Sequence, residues 1–292
     1  MEGKMNINWY PGHMAKTRRQ IIEDLKLIDV VVELLDARIP VSSRNPDISQ
    51  ITKNKKRIIL LNKSDLSDEN QNNKWLQYYK NNGIPTVLVD ANSGKGIEQT
   101  LREINKVMEE DLKIAMQKGR IGKNIRVMIL GIPNVGKSSF INRVSKKTSA
   151  VVGNKPGVTR QKQWIRIANN IELLDTPGVL WPKFESEEVG LNLAYTGSIK
   201  DELIEKTEVA YQLLRFLYKN YQKQLLERYK IADFLQENGE EERETILRLI
   251  DEIGKKRGAM LSGGRIDYEK VSNIVLDDFR SGKIGKITLE HK

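Results

Sequence analysis

In the first two-thirds of the chain the apolar positions fall in short runs, at 30–35, 58–61, 86–89, 127–130, 164–167 and 171–174. These runs are too short for buried helices and do not alternate cleanly, which is the pattern of strands covered on both faces. Amphipathic stretches between most of them predict helices over 46–54, 69–81, 96–115 and 137–145. This repetition predicts an α/β domain with a mostly parallel sheet and helices on both faces. The runs 164–167 and 171–174 flank Asn169-Asn170 and read as a hairpin, which would add one antiparallel edge strand. From about Glu187 the period changes. One or two long helices are expected over 201–235, with Leu203, Leu213, Leu214, Leu217 and Leu225 on the apolar side, and two more over 242–253 and 268–281. Gly239, Gly258 and Gly263-Gly264 punctuate them. The expected division is a basic N-terminal extension (1–24), a nucleotide-binding domain (25–183) and an all-helical C-terminal domain (184–292) with an extended tail at 286–289.

The run 127–130 leads into Gly131-Ile132-Pro133-Asn134-Val135-Gly136-Lys137-Ser138, which fits the phosphate-loop pattern G-x-x-x-x-G-K-[ST], and a predicted helix follows. Such a loop curls so that backbone N–H groups, Val135 to Ser139 here, point at phosphate oxygens, and the helix N-terminus adds its positive end. Lys137 supplies a charge for the β- and γ-oxygens, and Ser138 a hydroxyl for Mg²⁺. After the run 171–174 comes Asp175-Thr176-Pro177-Gly178. Asp175 can hold Mg²⁺ through water, and Gly178 can turn its N–H to a γ-phosphate. Between these loops Thr159 is the first candidate for a switch threonine that reaches Mg²⁺ only when a γ-phosphate is bound, and Thr148 the second.

The run 58–61 ends in Asn62-Lys63-Ser64-Asp65. A carboxylate at Asp65 accepts two hydrogen bonds from guanine N1–H and its 2-amino group; adenine offers neither donor, so it would leave a charge unpaired. Lys63 can lie over the base or ribose, and Asn62 can tie this turn to the phosphate loop. The next strand ends in Asp90-Ala91-Asn92-Ser93, where the Ala91 N–H can meet guanine O6. The expected ligands are GTP or GDP with Mg²⁺. The order is unusual, because the base-reading turn precedes the phosphate loop. Geometry permits this, since the loops need only meet at one edge of the sheet. Joining ordinary termini near 116–124 and opening the chain after Gly178 yields this circular permutation. The segment answering the γ-phosphate then runs through Trp181-Pro182 directly into the helical region.

Charge adds a polyanion to this picture. The net charge is +10, and between Asp111 and Glu172 lie 13 basic residues and no acid, which suits nucleotide phosphates or an RNA backbone. Lys16, Arg18, Arg19, Arg38, Arg44, the basic residues of 143–166, and Lys255, Lys256, Arg257 and Arg265 are the candidate RNA contacts. The absence of cysteine excludes a disulfide framework and fits a reducing compartment. No signal peptide and no 18-residue apolar run is evident, so a cytoplasmic protein without membrane or DNA partners is expected.

This order of motifs resembles the circularly permuted GTPases of the ribosome biogenesis GTPase A family. The likeness includes Pro11-Gly12-His13-Met14-x-Lys16, Asp36-Ala37-Arg38-x-Pro40 and the closing stretch from Asp278 through Gly282 and Gly285 to Glu290. The resemblance implies a bacterial factor that binds the large ribosomal subunit late in assembly, hydrolyses GTP faster on it, and contacts rRNA through its helical domain. Many GTPases orient the attacking water with a glutamine after Asp-x-x-Gly, where this chain has Val179 and Leu180. Slow unaided turnover is therefore expected. The resemblance suggests His13 as a replacement, against a structural cap or an RNA contact. Asn134 is either a K⁺ ligand beside the phosphates or a keeper of loop shape. The alternative function is a nucleotide-gated RNA-binding scaffold whose own turnover is unimportant.

Overall fold

A computed structural model describes residues 12–120, 122–147, 164–167, 170–181, 184–232, 234 and 240–292, without the side chains of 12–14 and 147. The chain divides into two units. One holds Asn8–Phe184 with Thr288–Lys292, and the other Glu185–Ile287.

The first unit contains α1 (Gly12–Asp24), β1 (Val30–Asp36), α2 (Pro46–Ile51), β2 (Lys56–Asn62), α3 (Glu69–Asn81), β3 (Thr86–Leu88), α4 (Ile97–Gln117), β4 (Ile125–Gly131), α5 (Lys137–Lys147), β5 (Trp164–Ile167) and β6 (Ile171–Leu174). Among the described residues the strands form a six-stranded sheet in the order β3-β2-β1-β4-β6-β5. All neighbours are parallel except β5 and β6, which pair as an antiparallel hairpin with Ile167 opposite Ile171. The carboxyl ends of β1, β2, β3, β4 and β6 therefore share one rim.

The strands are apolar on both faces because both are covered. Val31, Met128, Leu130 and Leu174 pack with Ile21 of α1 and Ile48 of α2, and Leu35, Ile59 and Leu61 with Trp75 and Tyr79 of α3. Val30, Val32, Leu34, Ile58, Leu60, Val127 and Ile129, which alternate with these, are fully buried on the other face. There α4 lies against β2 and α5 against β4. Helix starts are chemically marked. Asn45 caps α2 by accepting from the Asp47 N–H at 2.9 Å, and Asp68 caps α3 by accepting from Gln71 at 2.9 Å. Helix α1 was not among the expected elements; Ile21 brings it into the core beneath β1 and β4.

The second unit is helical: α6 (Glu187–Tyr195), α7 (Lys206–Asn220), α8 (Gln222–Tyr229), α9 (Glu242–Arg257) and α10 (Tyr268–Arg280). Two differences from expectation stand out. Helix α6, capped by Ser186, was not foreseen, and the expected span 201–235 begins with a 3-10 turn (Asp201–Leu203) and breaks at Tyr221. Buried Leu213, Leu217, Ile246, Leu249, Val275 and Phe279 form the core. Asp278, almost wholly buried, accepts both arms of Arg228 at 2.8 and 2.9 Å. The tail at 286–289 forms no strand.

Candidate functional site

Asn62, the last residue of β2, is buried and joins three loops through one amide. Its Nδ2 donates to the Val135 carbonyl at 2.8 Å, and its Oδ1 accepts from the Ala91 N–H at 3.1 Å. The phosphate loop and both base-side turns thus lean on a single side chain. A Cβ at Gly136, whose φ is +99°, would run into Asn62 Nδ2, so both space and backbone angle call for glycine there.

Past Asn62 the chain enters the left-handed region at Lys63, φ 60°. The Ser64 N–H donates to the Val89 carbonyl at 3.1 Å and Leu66 closes the turn onto Lys63 at 2.9 Å. This bend leaves Asp65 exposed at the rim. Partial burial raises the Asp65 carboxyl above its ordinary value, and the nearby Asp90 carboxylate adds to the rise. Asp90 is drawn the other way: burial alone would raise it, but hydrogen bonds from Ser93 and Asn92 hold it lowered. Its Oδ1 accepts from the Asn92 and Ser93 N–H groups at 2.9 and 3.2 Å. Arg143 of α5 donates to the Ala91 carbonyl at 3.3 Å and steadies the same turn. The Ala91 N–H, expected to face guanine O6, is instead engaged by Asn62 in this structure, because the Asn62 amide sits between the two loops.

Lys137 is buried. Its Nζ donates to the carbonyls of Gly131 at 3.1 Å and Ile132 at 2.8 Å. Burial pulls its pKa down to about 8, against an upward pull from Asp175. Lys137 also opens α5, so Ser138 and Ser139 sit in the first turn, where helix N–H groups lack helical partners. Both are exposed, as is Asn134, which is in the left-handed region at φ 57°.

β6 lies parallel to β4, with Leu174 beside Met128, which places Asp175 next to the phosphate loop. Thr176 Oγ1 donates to the Ile129 carbonyl at 2.5 Å and pins the Asp175–Gly178 turn to β4. A Cβ at Gly178 would lie 2.8 Å from the Pro133 nitrogen and 2.9 Å from Lys137 Nζ. The next residue turns away from the rim: the Val179 side chain joins the core of Ile21, Val31, Met128 and Leu174. Its N–H donates to the Gly131 carbonyl at 3.3 Å, and its carbonyl accepts from Asn45 Nδ2 at 3.1 Å.

The donor set fits Mg²⁺. An exposed hydroxyl (Ser138) stands in the first turn of α5, after the loop that follows β4, and an exposed carboxylate (Asp175) directly after β6, the parallel neighbour of β4. Among the described residues no group of three or more His, Cys, Asp and Glu gathers as a metal cage. Magnesium is commonly held in this way, by one or two protein oxygens with water and phosphate completing the octahedron.

Several expected residues have other positions. Thr159 and Thr148 lie outside the described residues, as does the His13 side chain, although His13 itself is in α1. Arg38, a candidate RNA contact, is buried: both its guanidinium and its own N–H bond Asp36, at 2.8 to 3.1 Å. It is a structural arginine. Arg257 is likewise held within the second unit, donating to the Arg228 carbonyl at 3.1 Å and lying over the Tyr229 ring. Sequence reasoning missed Asp36. Its carboxylate also meets Lys63 Nζ at 2.9 Å, so the lysine's charged end is fixed and only its stem is left to face a ligand. Burial lowers the pKa of Lys63, against the pull of Asp36. The signal was an acid at the end of β1, level with Asn62 in the parallel register.

Known proteins match this arrangement. A family described as "50S ribosome-binding GTPase" matches residues 126–251, and one described as "RsgA GTPase" matches 48–185. Ribosome biogenesis GTPase A of Bacillus licheniformis is 49% identical over 286 residues, covering 98% of either chain. The protein of the same name from Thermotoga maritima is 32% identical, covering 97% of this chain and 94% of its own. Among solved structures, GNP-bound YlqF from T. maritima superposes with a TM-score of 0.61 at 26% identity, covering 94% of this chain and 98% of that one. The GDP-bound form gives a TM-score of 0.63.

Proposed function

This chain belongs to the ribosome biogenesis GTPase A family, and from that premise we propose that it docks on a large-subunit precursor with GTP bound and leaves after hydrolysis. The observation that carries the reading is the pair of hydrogen bonds that tie the Asn62 amide to Val135 and Ala91. It makes the base-reading turn and the phosphate loop parts of one site despite their permuted order. In that site Asp65 reads guanine, with Lys63 beside the base and the 90–93 turn closing its edge. Val135 to Ser139 hold the phosphates, with Lys137 charged against them. Ser138, Asp175 and, outside the described residues, Thr159 are the proposed magnesium ligands. The metal supplies charge neutralisation at the β- and γ-phosphates. Gly178 is the residue proposed to offer its N–H to the γ-phosphate, and a side chain there would collide with Pro133 and Lys137.

Slow unaided turnover follows from Val179, whose side chain is committed to the core and cannot order a water. The missing organiser then comes from His13, from K⁺ beside Asn134, or from the ribosomal partner. The description "50S ribosome-binding GTPase" belongs to the matching family and supports the large subunit as that partner. The exposed cations Lys255, Lys256 and Arg265 remain the helical unit's candidates for rRNA. The chain leaves Gly178 and enters the helical unit within a few residues, so nucleotide state has a short covalent route to the surface proposed to bind RNA.

GTP turnover measured with and without purified large subunits, in potassium and then in sodium, tests the reading. Stimulation by subunits is expected, larger in potassium. A rate indifferent to subunits refutes the proposed partner. Subunit maturation that proceeds with a hydrolysis-dead protein favours the scaffold reading instead.

A further inference from the structure

The closing residues Thr288–Lys292 belong with the nucleotide-binding unit, although they follow the whole helical unit in the chain. Their contacts converge on the supports of the base-reading turn. The Leu289 N–H donates to the Arg38 carbonyl at 2.8 Å. Glu290 accepts from the Val41 N–H at 2.5 Å, from the Ser42 N–H at 2.8 Å, and from the Ser42 hydroxyl. Trp75 Nε1 of α3 donates to the Glu290 carbonyl at 2.8 Å. Buried Thr288 accepts from the Asp68 N–H at 3.0 Å through its hydroxyl. Lys292 Nζ lies over Tyr78, 4.0 Å from the ring centre.

Two routes lead from these contacts to the ligand side. Arg38, held by Leu289, fixes the Asp36 carboxylate that fixes Lys63. Asp68, held by Thr288, caps α3 three residues after Asp65. Ser67 between them bonds Asn72 of the same helix at 2.8 Å. Glu290 receives backbone N–H groups in the way a bound carboxylate would, and charge-assisted bonds of this kind hold position well. Packing alone could hold Thr288 and Leu289 against the loop without such a set of directed bonds.

We propose that Thr288–Lys292 is a positioning strap for the guanine-reading turn, with Glu290 and Thr288 as its positioning residues. It sets Lys63 and Asp65 in register for the base and makes no contact with nucleotide itself. The proposal rests on Asp65 being the base reader.

The test uses the full chain and competition binding of GDP and IDP, which lacks the 2-amino group that Asp65 would bond. Glu290→Ala, Thr288→Val and Trp75→Phe each remove part of the strap. The expected result is GDP binding weakened about tenfold by Glu290→Ala, a drop of ~1.4 kcal/mol, and a GDP-over-IDP preference that contracts at least threefold. KM for GTP rises while kcat holds, and Glu290→Gln, which retains one acceptor oxygen, recovers part of the loss. General loosening of the fold would weaken both nucleotides alike. Equal weakening in all three variants, or none, overturns the strap, provided Asp65→Asn abolishes the preference. If Asp65→Asn keeps it, the base assignment itself is wrong and the strap falls with it. Thr288→Val removes one hydroxyl acceptor at nearly unchanged volume and keeps the test open should Glu290→Ala not fold, whereas Trp75→Phe also removes ring packing in the core.

Discussion

Asn62 and Val135 are 73 positions apart in the chain and 2.8 Å apart in space, side-chain amide to backbone carbonyl. This one contact closes the permuted site, because its other end holds Ala91. Replacing Asn62 by Ala leaves two buried backbone groups without partners, each costing ~1–3 kcal/mol. It also frees the phosphate loop from the base turns. GDP affinity should fall by roughly 10- to 100-fold, or ~1.4–2.8 kcal/mol, while the helical unit, which lacks this contact, keeps its secondary structure. Fluorescent GDP titration alongside circular dichroism measures both. Unchanged GDP affinity would mean that the loops are held together by something else.

Val179 stands where many GTPases carry a catalytic glutamine, and restoring that residue should not help. Its side chain points into the core with Ile21, Met128 and Leu174, and its backbone is held at both ends by Gly131 and Asn45. Val179→Gln would bury an amide lacking a partner, at a cost of about 1–3 kcal/mol. Urea unfolding should show that loss, and GTP turnover without ribosomes should stay flat or fall. A rise in basal turnover would show that this residue can turn outward to the γ-phosphate.

Asp36 ties pH to stability. Burial alone would raise its carboxyl, but Arg38 and Lys63 beside it outweigh burial and hold it well below its ordinary value of 3.8. A carboxylate depressed on folding contributes stability above the ordinary value, and that contribution is lost as pH falls below it. Asp36→Asn also leaves Arg38 and Lys63 buried without their counter-ion, a defect of about 3–5 kcal/mol. The variant should be much less stable than the parent at pH 7, and the gap should narrow from about pH 4 downward. Urea midpoints at pH 7, 4 and 3 would check this; a gap constant with pH would show that folding leaves the Asp36 carboxyl unshifted.

The strands of the sheet were legible from hydrophobicity because burial on both faces removes alternation, as in 30–35 and 58–61. The edge hairpin was legible too, since Asn169-Asn170 interrupts two apolar runs. Helix α1 was missed because its first residues carry mostly polar side chains, and only Ile21 and its neighbours mark the buried side. Helix α6 was missed because its nine residues offer only about two and a half turns of pattern, and its start is set by a single serine cap. In the site, Asn62, Lys137, Asp175 and Gly178 could be read because phosphate and base chemistry constrain residue type and spacing within a loop. Asp36 could not, since its role arises from a neighbour in the sheet register and not from sequence distance. For the same reason the basic residues misled: Arg38 resembles any surface arginine until Asp36 is placed beside it. The tail contacts of Thr288 and Glu290 are more than 200 positions from their partners, beyond any local pattern.

The base assignment can be inverted by chemistry. Guanine offers N1–H and a 2-amino group, two donors, and the carboxylate of Asp65, the proposed base reader, has two acceptors to match. Xanthine keeps N1–H but has a carbonyl at C2, so it offers one donor and one acceptor. An asparagine at 65 presents one acceptor and one donor, the complement of xanthine. Asp65→Asn should therefore lose GDP affinity by about 100-fold, ~2.8 kcal/mol, within the range for losing a hydrogen bond to a charged group. The same substitution should bring XDP from negligible binding to a level near that of GDP on the parent protein. The exposed position of Asp65 makes a folding defect an unsuitable explanation for any loss, and the gain for XDP has no source except the base contact. Competition titrations with GDP, XDP and ADP on both proteins decide the matter. A variant that keeps its preference for GDP over XDP would place the base reader at another residue of the rim.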